Sequence, residues 1–391
     1  MSVILGVTSS IAAYKSLDLV SRLLKRGLDV EVIMSENATN FVSPEAFSAL
    51  TKHKTSVLTF DKNINYDVKH ISLAQKAEVF AIVPATANVI AKVAHGISDD
   101  MLTTTFLACD CPKIIAPAMN TKMYENPITK DNLKLCQKYG MKIIEPAVGH
   151  LACGDVGKGH LASLDDLEDA IVSELYPKPL AHKKIVVTAG ATKEKIDPVR
   201  FITNYSSGKM GVSLARAAKY LGADVTLLIN KDTNLVLPYG IKVAYFESVD
   251  DLFELSKANF EKADGFVMCA AVSDYKAKTY SDEKIKKGGE LLLELEKTVD
   301  ILEYLGKHKG NQKLCGFAME TSKDDLKLAR DKFKRKHCDL LVLNNLKEEG
   351  AGFRGDTNAV TLIDEKKDEK LPLGLKSELA FEIIRRLMGV E

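Results

Sequence analysis

One short segment of the chain combines hydroxyls, glycines and a lysine. Residues 204–211 read Asn-Tyr-Ser-Ser-Gly-Lys-Met-Gly and open an apolar helical pattern. Unpaired N–H groups at a helix start, with hydroxyl and lysine donors, suit a bound phosphate. The segment is not a Walker A loop, because Thr203 holds the first glycine position and Met210 follows the lysine. A solvated helix start and a nucleotide site therefore both stay open. The candidate phosphate ligands are Ser206, Ser207, Gly208, Met210 and Gly211.

Other polar groups of the second half lie near this segment or follow predicted strands. Arg200 precedes Asn204 by four residues, and its alternative role is a surface ion pair. Ala270, Ala271 and Asp274 come at the end of a buried strand, where the carboxylate could reach Mg²⁺ or a nucleotide. A helix N-cap is the alternative for Asp274.

A basic cluster and an aromatic residue complete the candidates of the second half. Lys284, Lys286 and Lys287 stand just before two glycines, and most such runs are simply solvated. Phe317 follows another apolar segment, where a phenylalanine is more often a core residue than a base-stacking platform.

The first half carries hydroxyls where predicted strands end. Thr8, Ser9 and Ser10 follow the strand 3–7, Ser35 follows the strand 29–34, and a small-residue loop follows the strand 79–83. These groups could cap helices or contact a phosphate. No Gly-x-Gly-x-x-Gly is present, which favours a mononucleotide such as FMN over a dinucleotide. The loop residues are Pro84, Ala85, Thr86, Ala87 and Asn88.

Three more residues of the first half could react. His70 precedes a helix, and a lone histidine is usually structural. Asn120 ends the predicted strand 113–116 and would point its amide into the same cleft. Cys153 lies between small residues in a glycine-containing loop, unlike an inert core cysteine.

The elements that must position these residues alternate between strand and helix through both halves. Tyr176-Pro177-Lys178-Pro179 interrupts the pattern, so we predict domains at 1–175 and 184–391 with a linker at 176–183. A helix over 376–388 closes the chain. Repeated strand–helix units predict the α/β class, with two Rossmann-like parallel-sheet domains. Such sheets bind ligands beyond the carboxyl ends of their strands.

Composition narrows the class of protein. Of 391 residues, 54 are basic and 53 acidic, which gives no electrostatic reason to expect nucleic acid or a membrane as a partner. No apolar run approaches the ~18 residues of a membrane span. The seven cysteines are odd in number and scattered, which favours a reducing cytoplasm and argues against a structural zinc site.

The motifs of the first half, taken in order, resemble the homo-oligomeric flavin-containing cysteine decarboxylase family, the first domain being of the flavodoxin-like type. The resemblance covers about residues 1–170 and implies an FMN-dependent phosphopantothenoylcysteine decarboxylase. It implies that His70 is the catalytic base, that Asn120 holds the substrate carboxylate and that Cys153 supplies a proton in a reductive step. His160 departs from the family, whose members more often carry arginine there, so contacts to the substrate phosphate are in question.

The motifs of the second half resemble phosphopantothenate–cysteine ligases over about residues 182–391. The resemblance implies attack of the 4'-phosphopantothenate carboxylate on the α-phosphate of CTP, followed by displacement of CMP by the amine of L-cysteine. It assigns acyl-cytidylate formation to Lys284 and amide formation to Asn204 and Arg200. Two departures touch no predicted catalytic group: Lys297-Thr298-Val299-Asp300 lacks a usual proline, and Ser273 replaces a common alanine.

Together the halves resemble the bifunctional decarboxylase–ligase family of coenzyme A biosynthesis. The family implies a homo-oligomer, a dodecamer built from trimers of the flavin half and dimers of the ligase half. The choice of CTP over ATP rests on resemblance alone. A flavin-binding regulatory or scaffold protein is one alternative, although His70, Asn120 and Cys153 argue against it. A tandem Rossmann NAD(P)-dependent oxidoreductase is another, and it lacks the glycine fingerprint.

Overall fold

The computed structural model describes residues 1–60, 68–150, 156–286, 288, 291–319, 324–344 and 355–390, without the side chains of residues 150 and 156. The chain divides into two compact units, Met1–Tyr176 and Pro177–Glu391. No strand or helix falls within 176–183. Leu180 is nevertheless buried in the core of the second unit, so most of the predicted linker packs with that unit.

The first unit alternates strands with helices. Its strands are β1 (Ser2–Val7), β2 (Asp29–Met34), β3 (Val79–Ala85), β4 (Lys113–Pro117), β5 (Lys142–Ile143), β6 (Ala147–His150) and β7 (Val156–His160). Its helices are α1 (Lys15–Lys25), α2 (Pro44–Thr51), α3 (Lys69–Lys76), α4 (Ala87–His95), α5 (Met101–Ala108), α6 (Thr121–Glu125), α7 (Pro127–Lys138) and α8 (Leu164–Glu174), with 3-10 turns at Ile11–Tyr14 and Glu36–Asn40.

Five parallel strands form the sheet of the first unit in the order β2-β1-β3-β4-β5. This is the flavodoxin-like order, in which the strand order, but not the chain direction, reverses between β1 and β3. Every residue of β1 and β3 is buried, as expected of strands covered by helices on both faces. An antiparallel hairpin, β6–β7, lies outside the sheet.

The second unit is also α/β. Its strands are β8 (Lys184–Ala189), β9 (Glu194–Lys195), β10 (Phe201–Ile202), β11 (Asp224–Asn230), β12 (Lys242–Phe246), β13 (Gly265–Met268), β14 (Tyr275–Ala277), β15 (Leu295–Lys297), β16 (Lys313–Met319), β17 (Leu340–Asn344), β18 (Thr357–Asn358), β19 (Val360–Ile363), β20 (Asp368–Lys370) and β21 (Gly374–Leu375). Its helices are α9 (Lys209–Tyr220), α10 (Val249–Phe260), α11 (Ile301–Lys307), α12 (Asp325–Arg335) and α13 (Lys376–Met388).

Eight strands form its main sheet in the order β12-β11-β8-β13-β16-β17-β19-β20. The first six are parallel and follow the Rossmann order 3-2-1-4-5-6, whereas β19 and β20 extend the sheet with antiparallel pairing. Together the two parallel sheets confirm the predicted fold class. The antiparallel extension is a feature that the sequence reasoning did not anticipate.

Two apolar clusters cover the two faces of this sheet. One joins α9 and α13 to β8 and β11, with Leu214 and Ile383 among its fully buried residues. The other joins α10, α11 and α12 to the opposite face through Leu252, Leu305 and Ala329. Loops that follow the parallel strands therefore open at one edge, between helices of both faces.

Within the described ranges, no helix has both the length and the apolar character needed to cross a membrane.

Candidate active sites at the carboxyl edges of the two sheets

Three loops of the first unit meet where the strand order reverses. The Thr8 hydroxyl donates a hydrogen bond to the Pro84 carbonyl (2.7 Å) and accepts one from the Thr86 amide (3.0 Å). The Ser35 amide donates to the Val7 carbonyl (2.9 Å), which draws the end of β2 to the end of β1. The predicted flavin ligands of these loops are thus brought together at the crevice where such sheets bind FMN.

Helix capping and ligand binding coincide at this crevice. Ser10 caps the 3-10 turn by accepting from the Ala12 amide (3.3 Å), and Thr86 caps α4 by accepting from the Val89 amide (3.4 Å). The buried Ser35 hydroxyl has no hydrogen-bond partner among the described residues. An orphaned buried hydroxyl beside two helix starts is an arrangement that a phosphate-bearing cofactor would satisfy. The residues present therefore fit FMN.

The remaining flavin candidates occupy different depths of this crevice. Pro84 and Ala85 are buried within β3, while Ala87 and Asn88 form the first turn of α4. Asn88 is exposed and Ser9 is half-buried.

Two of the three reactive candidates fall within the described residues. His70 is half-buried in the first turn of α3, the helix that leads into β3. Asn120 follows β4 and caps α6, its side-chain oxygen accepting from the Lys122 amide (2.9 Å). The Met119 amide donates to the Gly159 carbonyl (3.0 Å), so β7 is held against the Asn120 loop. Cys153 lies between β6 and β7 but outside the described residues.

The histidine that departs from the family pattern has a basic neighbour. The Nε2 atom of His160 lies 3.5 Å from Nζ of Lys15, the first residue of α1. Its Nδ1 lies 3.0 Å from the Leu161 carbonyl oxygen. A lysine thus stands near the position where an arginine is usual.

A cavity of about 720 Å³ opens at the carboxyl edge of the second sheet. It is lined by ten of the residues predicted to bind nucleotide, metal or acyl intermediate. These are Asn204, Ser206, Ser207, Gly208, Met210, Gly211, Ala270, Ala271, Asp274 and Phe317. A space of this size accommodates a nucleotide, since ligand pockets span roughly 300–1,000 Å³.

The two glycines of the loop have geometric roles. Gly208 is the N-cap of α9 with φ of +80°, a conformation that glycine adopts without strain. A Cβ at Gly211 would lie 2.5 Å from Cβ of Ala189 and 2.8 Å from the Thr188 carbonyl oxygen. Gly211 therefore lets α9 approach β8 closely. Backbone geometry therefore explains both glycines, and no Walker A pattern is needed to account for them.

Asn204 joins the two loops that form this part of the cavity. Its amide nitrogen donates to the Ala271 carbonyl (2.8 Å), and its amide oxygen accepts from the Ser206 amide (3.1 Å). The side chain thereby fixes the entrance of the phosphate loop relative to the loop after β13.

Arg200 forms the ion pair that was its alternative interpretation, together with a further contact. Its guanidinium bonds to Asp197 through Nε (2.9 Å) and Nη2 (2.5 Å), and Nη2 also donates to the Ile285 carbonyl (2.9 Å). The Ile285 amide donates to the same Asp197 carboxylate (3.2 Å). Arg200 holds the pKa of fully buried Asp197 well below its usual range. The pair clamps the backbone between Lys284 and Lys286.

Three predicted residues do not join the others in the cavity. Arg200, Lys284 and Lys286 are absent from its described lining, and both lysines are exposed. Lys287 lies outside the described residues. The role of this basic segment stays a prediction.

The structure distinguishes between the alternative interpretations of Asp274 and of Phe317. Asp274 is exposed at the cavity, and β14 rather than a helix follows it, so it is not an N-cap. Phe317 is half-buried, packing against the core and lining the cavity at once.

No group of three or more histidine, cysteine or acidic side chains that could hold a metal occurs within the described ranges. A metal at Asp274 would take its other ligands from phosphate and water.

The sequence reasoning counted the lysine of the phosphate loop, Lys209, among the phosphate donors, but it missed four further lysines of the cavity lining: Lys297, Lys332, Lys336 and Lys376. Lys332 and Lys336 come from α12 and its C-cap, whereas Lys209 and Lys376 begin α9 and α13. Burial lowers the pKa of Lys336. In a sequence, α12 is typical of a solvated charged helix. The i, i+4 spacing of Lys332 and Lys336, which puts both on one face, was the available signal.

Two family models together match most of the chain. The model described as Flavoprotein matches residues 1–176, and the model described as DNA/pantothenate metabolism flavoprotein C-terminal domain matches residues 180–390.

Individual relatives match over nearly the full length. The "Coenzyme A biosynthesis bifunctional protein CoaBC" of Bacillus subtilis (strain 168) is 44% identical over 396 residues, covering 100% of this chain and 97% of that protein. A "Cysteine/Cysteine sulfinic acid decarboxylase" from an unknown prokaryotic organism is 41% identical and covers 89% of this chain and 99% of that protein. A crystal structure of the C-terminal domain of a CoaBC protein has 37% identity, a TM-score of 0.47 and coverage of 54% and 97%.

Both matched models, the near-complete coverage and the two carboxyl-edge sites agree with one assignment. This chain belongs to the family of coenzyme A biosynthesis bifunctional proteins CoaBC.

Proposed function

We propose that this chain performs two consecutive reactions of coenzyme A biosynthesis. The second unit ligates 4'-phosphopantothenate to L-cysteine with CTP, and the first unit decarboxylates the product to 4'-phosphopantetheine. The observation that carries the proposal is one cavity that gathers the predicted phosphate loop, Asn204 and Asp274 in a chain that also has a flavin-type crevice.

The ligation needs positive charge where negative charge develops. The substrate carboxylate forms a bond to the α-phosphorus of CTP, and pyrophosphate leaves with the electron pair of the broken P–O bond. Backbone donors of residues 206–211, Lys284 and Mg²⁺ at Asp274 would stabilise this transfer. The cysteine amine then attacks the acyl carbon and CMP leaves, a step we assign to Asn204 and Arg200.

The structure offers an indirect role for Arg200 in that second step. Because it holds the Ile285 backbone, it would act by positioning the lysine segment. Lys286 and Lys287 would then contact phosphate oxygens as that segment approaches bound nucleotide, while Phe317 and the Ala270–Ala271 backbone contact the nucleoside.

The decarboxylation relies on residues of the first unit around a bound flavin. When bound, FMN supplies reversible two-electron redox chemistry at the substrate thiol. Asn120 would bind the departing carboxylate through its side-chain nitrogen, the donor of the amide group. The side-chain oxygen caps α6 by accepting from the Lys122 amide. His70 would accept a proton in the oxidative step, and Cys153 would return one in the reductive step.

The assembly and its surroundings are part of the proposal. We propose a homo-oligomer, a dodecamer of flavin-half trimers and ligase-half dimers, working on small molecules in the cytoplasm. The six described cysteines are free thiols, which suits a reducing compartment.

A single incubation tests the proposal. The chain, loaded with FMN, is mixed with 4'-phosphopantothenate, L-cysteine, Mg²⁺ and either CTP or ATP, while pyrophosphate and carbon dioxide are followed together. We expect both products with CTP. Pyrophosphate without carbon dioxide would remove the decarboxylase assignment, and neither product would remove both.

A second set of substrates distinguishes this proposal from decarboxylation of cysteine or cysteine sulfinic acid, the activity named for one of the relatives. L-cysteine and cysteine sulfinic acid are offered without phosphopantothenate or nucleotide. Carbon dioxide release from either at the rate of the coupled reaction would replace the proposed substrate. Stoichiometric FMN with no turnover of any substrate would favour a flavin-binding regulatory protein.

A further inference from the structure

Two helices of the second unit begin at the same wall of the cavity. α9 and α13 pack together on one face of the sheet, through a cluster that includes Leu214 and Ile383. Their first residues, Lys209 and Lys376, both line the cavity. The phosphate loop is continuous with α9, and Asp356 links the two helix starts, because its carboxylate pairs with Nζ of Lys209 and its carbonyl accepts from the Lys376 amide (2.8 Å).

The backbone makes this wall positive before any side chain is counted. The N-caps of the two helices are Gly208 and Leu375, and neither has a side chain that can accept a hydrogen bond. The first N–H groups of a helix lack intrahelical partners and carry the positive end of its dipole. A lysine in that position is unfavourable by the same dipole unless an anion is near.

The two ammonium groups add to this field. Lys376 is only 5% exposed, and its Nζ donates to the Gly355 carbonyl (2.7 Å). Nζ of Lys209 pairs with Asp356 (2.7 Å), whose side chain is 80% exposed and therefore screened by water. Burial lowers the pKa of Lys376, and the positive charge of Lys209 lowers it further. The repulsion between these cations is a cost that a bound polyanion offsets.

We propose that Lys209 and Lys376 bind the two terminal phosphoryl groups of the nucleotide and stabilise pyrophosphate as it leaves. This inference rests on the proposed ligase function. As the bond between the α-phosphorus and its bridging oxygen breaks, the electron pair passes to that oxygen and the β-phosphoryl group gains a negative charge. Two ammonium groups and two helix starts placed there favour the transition state over bound nucleotide.

The phosphate of 4'-phosphopantothenate has the same chemistry and could use the same wall. The terminal phosphoryl groups of the nucleotide are favoured because Lys209 belongs to the phosphate loop itself. They also carry more charge than a monophosphate, which matches a wall with two cations and two helix dipoles.

The test measures binding of single probes to the full chain by calorimetry. The probes are inorganic pyrophosphate with Mg²⁺, CMP and 4'-phosphopantothenate. We expect Lys376→Met and Lys209→Met each to weaken pyrophosphate binding by about 10-fold or more, since hydrogen bonds to charged groups contribute about 1.5–3 kcal/mol. CMP affinity should be unchanged. Lys334→Met is the matched control, because that lysine is exposed and outside the described lining.

The outcomes separate this inference from the ligase proposal. Wild-type affinity for pyrophosphate in a folded Lys376→Met variant overturns the inference, as does loss of 4'-phosphopantothenate binding with pyrophosphate unaffected. Ligation by both variants at the wild-type rate also overturns the inference, and it leaves the ligase proposal standing. Wild-type chain that neither binds CTP nor releases pyrophosphate overturns the ligase proposal. If Lys376→Met fails to fold, the half-buried Lys209 decides the test.

Discussion

Both parallel sheets gather loops at a carboxyl edge, but the two edges differ in charge. At the first edge, Thr8, Ser10, Ser35 and Thr86 surround the crossover between β1 and β3 with hydroxyls and backbone amides. At the second edge, four lysines from helices on both faces of the sheet line one cavity. Both edges collect groups at strand ends, but they collect different groups.

The difference matches the ligands that each edge would hold. A tightly held cofactor with one phosphate group is satisfied by neutral donors at helix starts. A triphosphate that must be split needs mobile or buried cations that respond to developing charge. The comparison therefore predicts that removing a charged side chain from the second edge slows ligation only. Removing the Cys153 thiol from the first unit should slow decarboxylation only.

The largest expected effect separates the two edges completely. Cys153→Ser should slow formation of 4'-phosphopantetheine by about 10²–10⁴-fold, the usual contribution of a proton donor, while ligation stays normal. The measurement compares 4'-phosphopantetheine with pyrophosphate in the coupled assay, because carbon dioxide leaves before the reductive step in which Cys153 would act. Cys111→Ser is the control, because Cys111 is half-buried just before β4, at the opposite edge. Normal formation of phosphopantetheine by Cys153→Ser would remove its assigned role.

The next effect divides the two steps of ligation. Asn204→Ala removes the hydrogen bonds to the Ala271 carbonyl and the Ser206 amide, and we expect amide formation to fall by about 10–100-fold. Acyl-cytidylate should still form and accumulate, which mass spectrometry of quenched reactions detects. Asn259→Ala, which removes a comparable side-chain bond within α10, is the control. Equal loss of pyrophosphate release would assign Asn204 to the first step instead.

A smaller effect tests the clamp on the lysine segment. Asp197→Asn replaces an acceptor for five hydrogen bonds with an amide that must present a donor, so the Ile285 backbone loses its anchor. We expect ligation to slow by about tenfold, equivalent to about 1.4 kcal/mol, with decarboxylation unchanged. Asp264→Asn is the control, because that carboxylate bonds to Lys183 and Lys184 at the amino edge. Equal slowing in both variants would make the effect one of general stability.

The smallest effect is a pH dependence with opposite signs for binding and stability. Because the pKa of Lys376 is lowered, it loses its proton at a lower pH than an ordinary lysine. Affinity for CTP should therefore fall as the pH rises towards the ordinary lysine pKa of about 10.4, before an ordinary lysine would lose its proton. In that pH range the unfolded chain binds more protons, so burial of Lys376 should make ligand-free stability rise with pH.

Calorimetry of CTP binding and denaturant unfolding, each across this pH range, measure the two slopes. Lys376→Met should reduce both slopes, because it removes one titrating group, while Lys336, whose pKa is also lowered by burial, stays in the cavity lining. A CTP affinity independent of pH in the wild-type chain would contradict the electrostatic account of the second edge.

Much of the fold could be predicted because buried parallel strands are nearly continuous apolar runs. The predicted strand at 3–7 became β1, which begins one residue earlier, and the helix predicted at 376–388 has those bounds in α13. β19 is a run of only four residues, mostly buried, that the sequence reasoning did not assign. β20 escaped prediction because exposed charged residues such as Asp368 and Lys370 carry no such signal. Hydrogen bonding to a neighbouring strand, rather than local pattern, makes that segment a strand.

The same distinction between local pattern and tertiary contact applies to the residues of the candidate sites. Strand-end loops could be named from the sequence, since parallel topology brings them to one edge. The lysines of α12 and α13 could not, because whether a charged side chain faces solvent or a cavity depends on packing against residues far away in the chain. Arg200 likewise could be named, but its contact with Ile285 spans 85 positions and exists only in the folded unit.

The sequence by itself determined the α/β class, the strand-end loops and the family, because these rest on local periodicity and on motifs with fixed spacing. The tertiary structure alone decided that Gly208 and Gly211 serve backbone geometry, that Asn204 ties two loops together, and that Lys209 and Lys376 meet at one wall. Such relations depend on distances between segments remote in sequence, and those distances are fixed only when the apolar faces of α9 and α13 pack on the sheet.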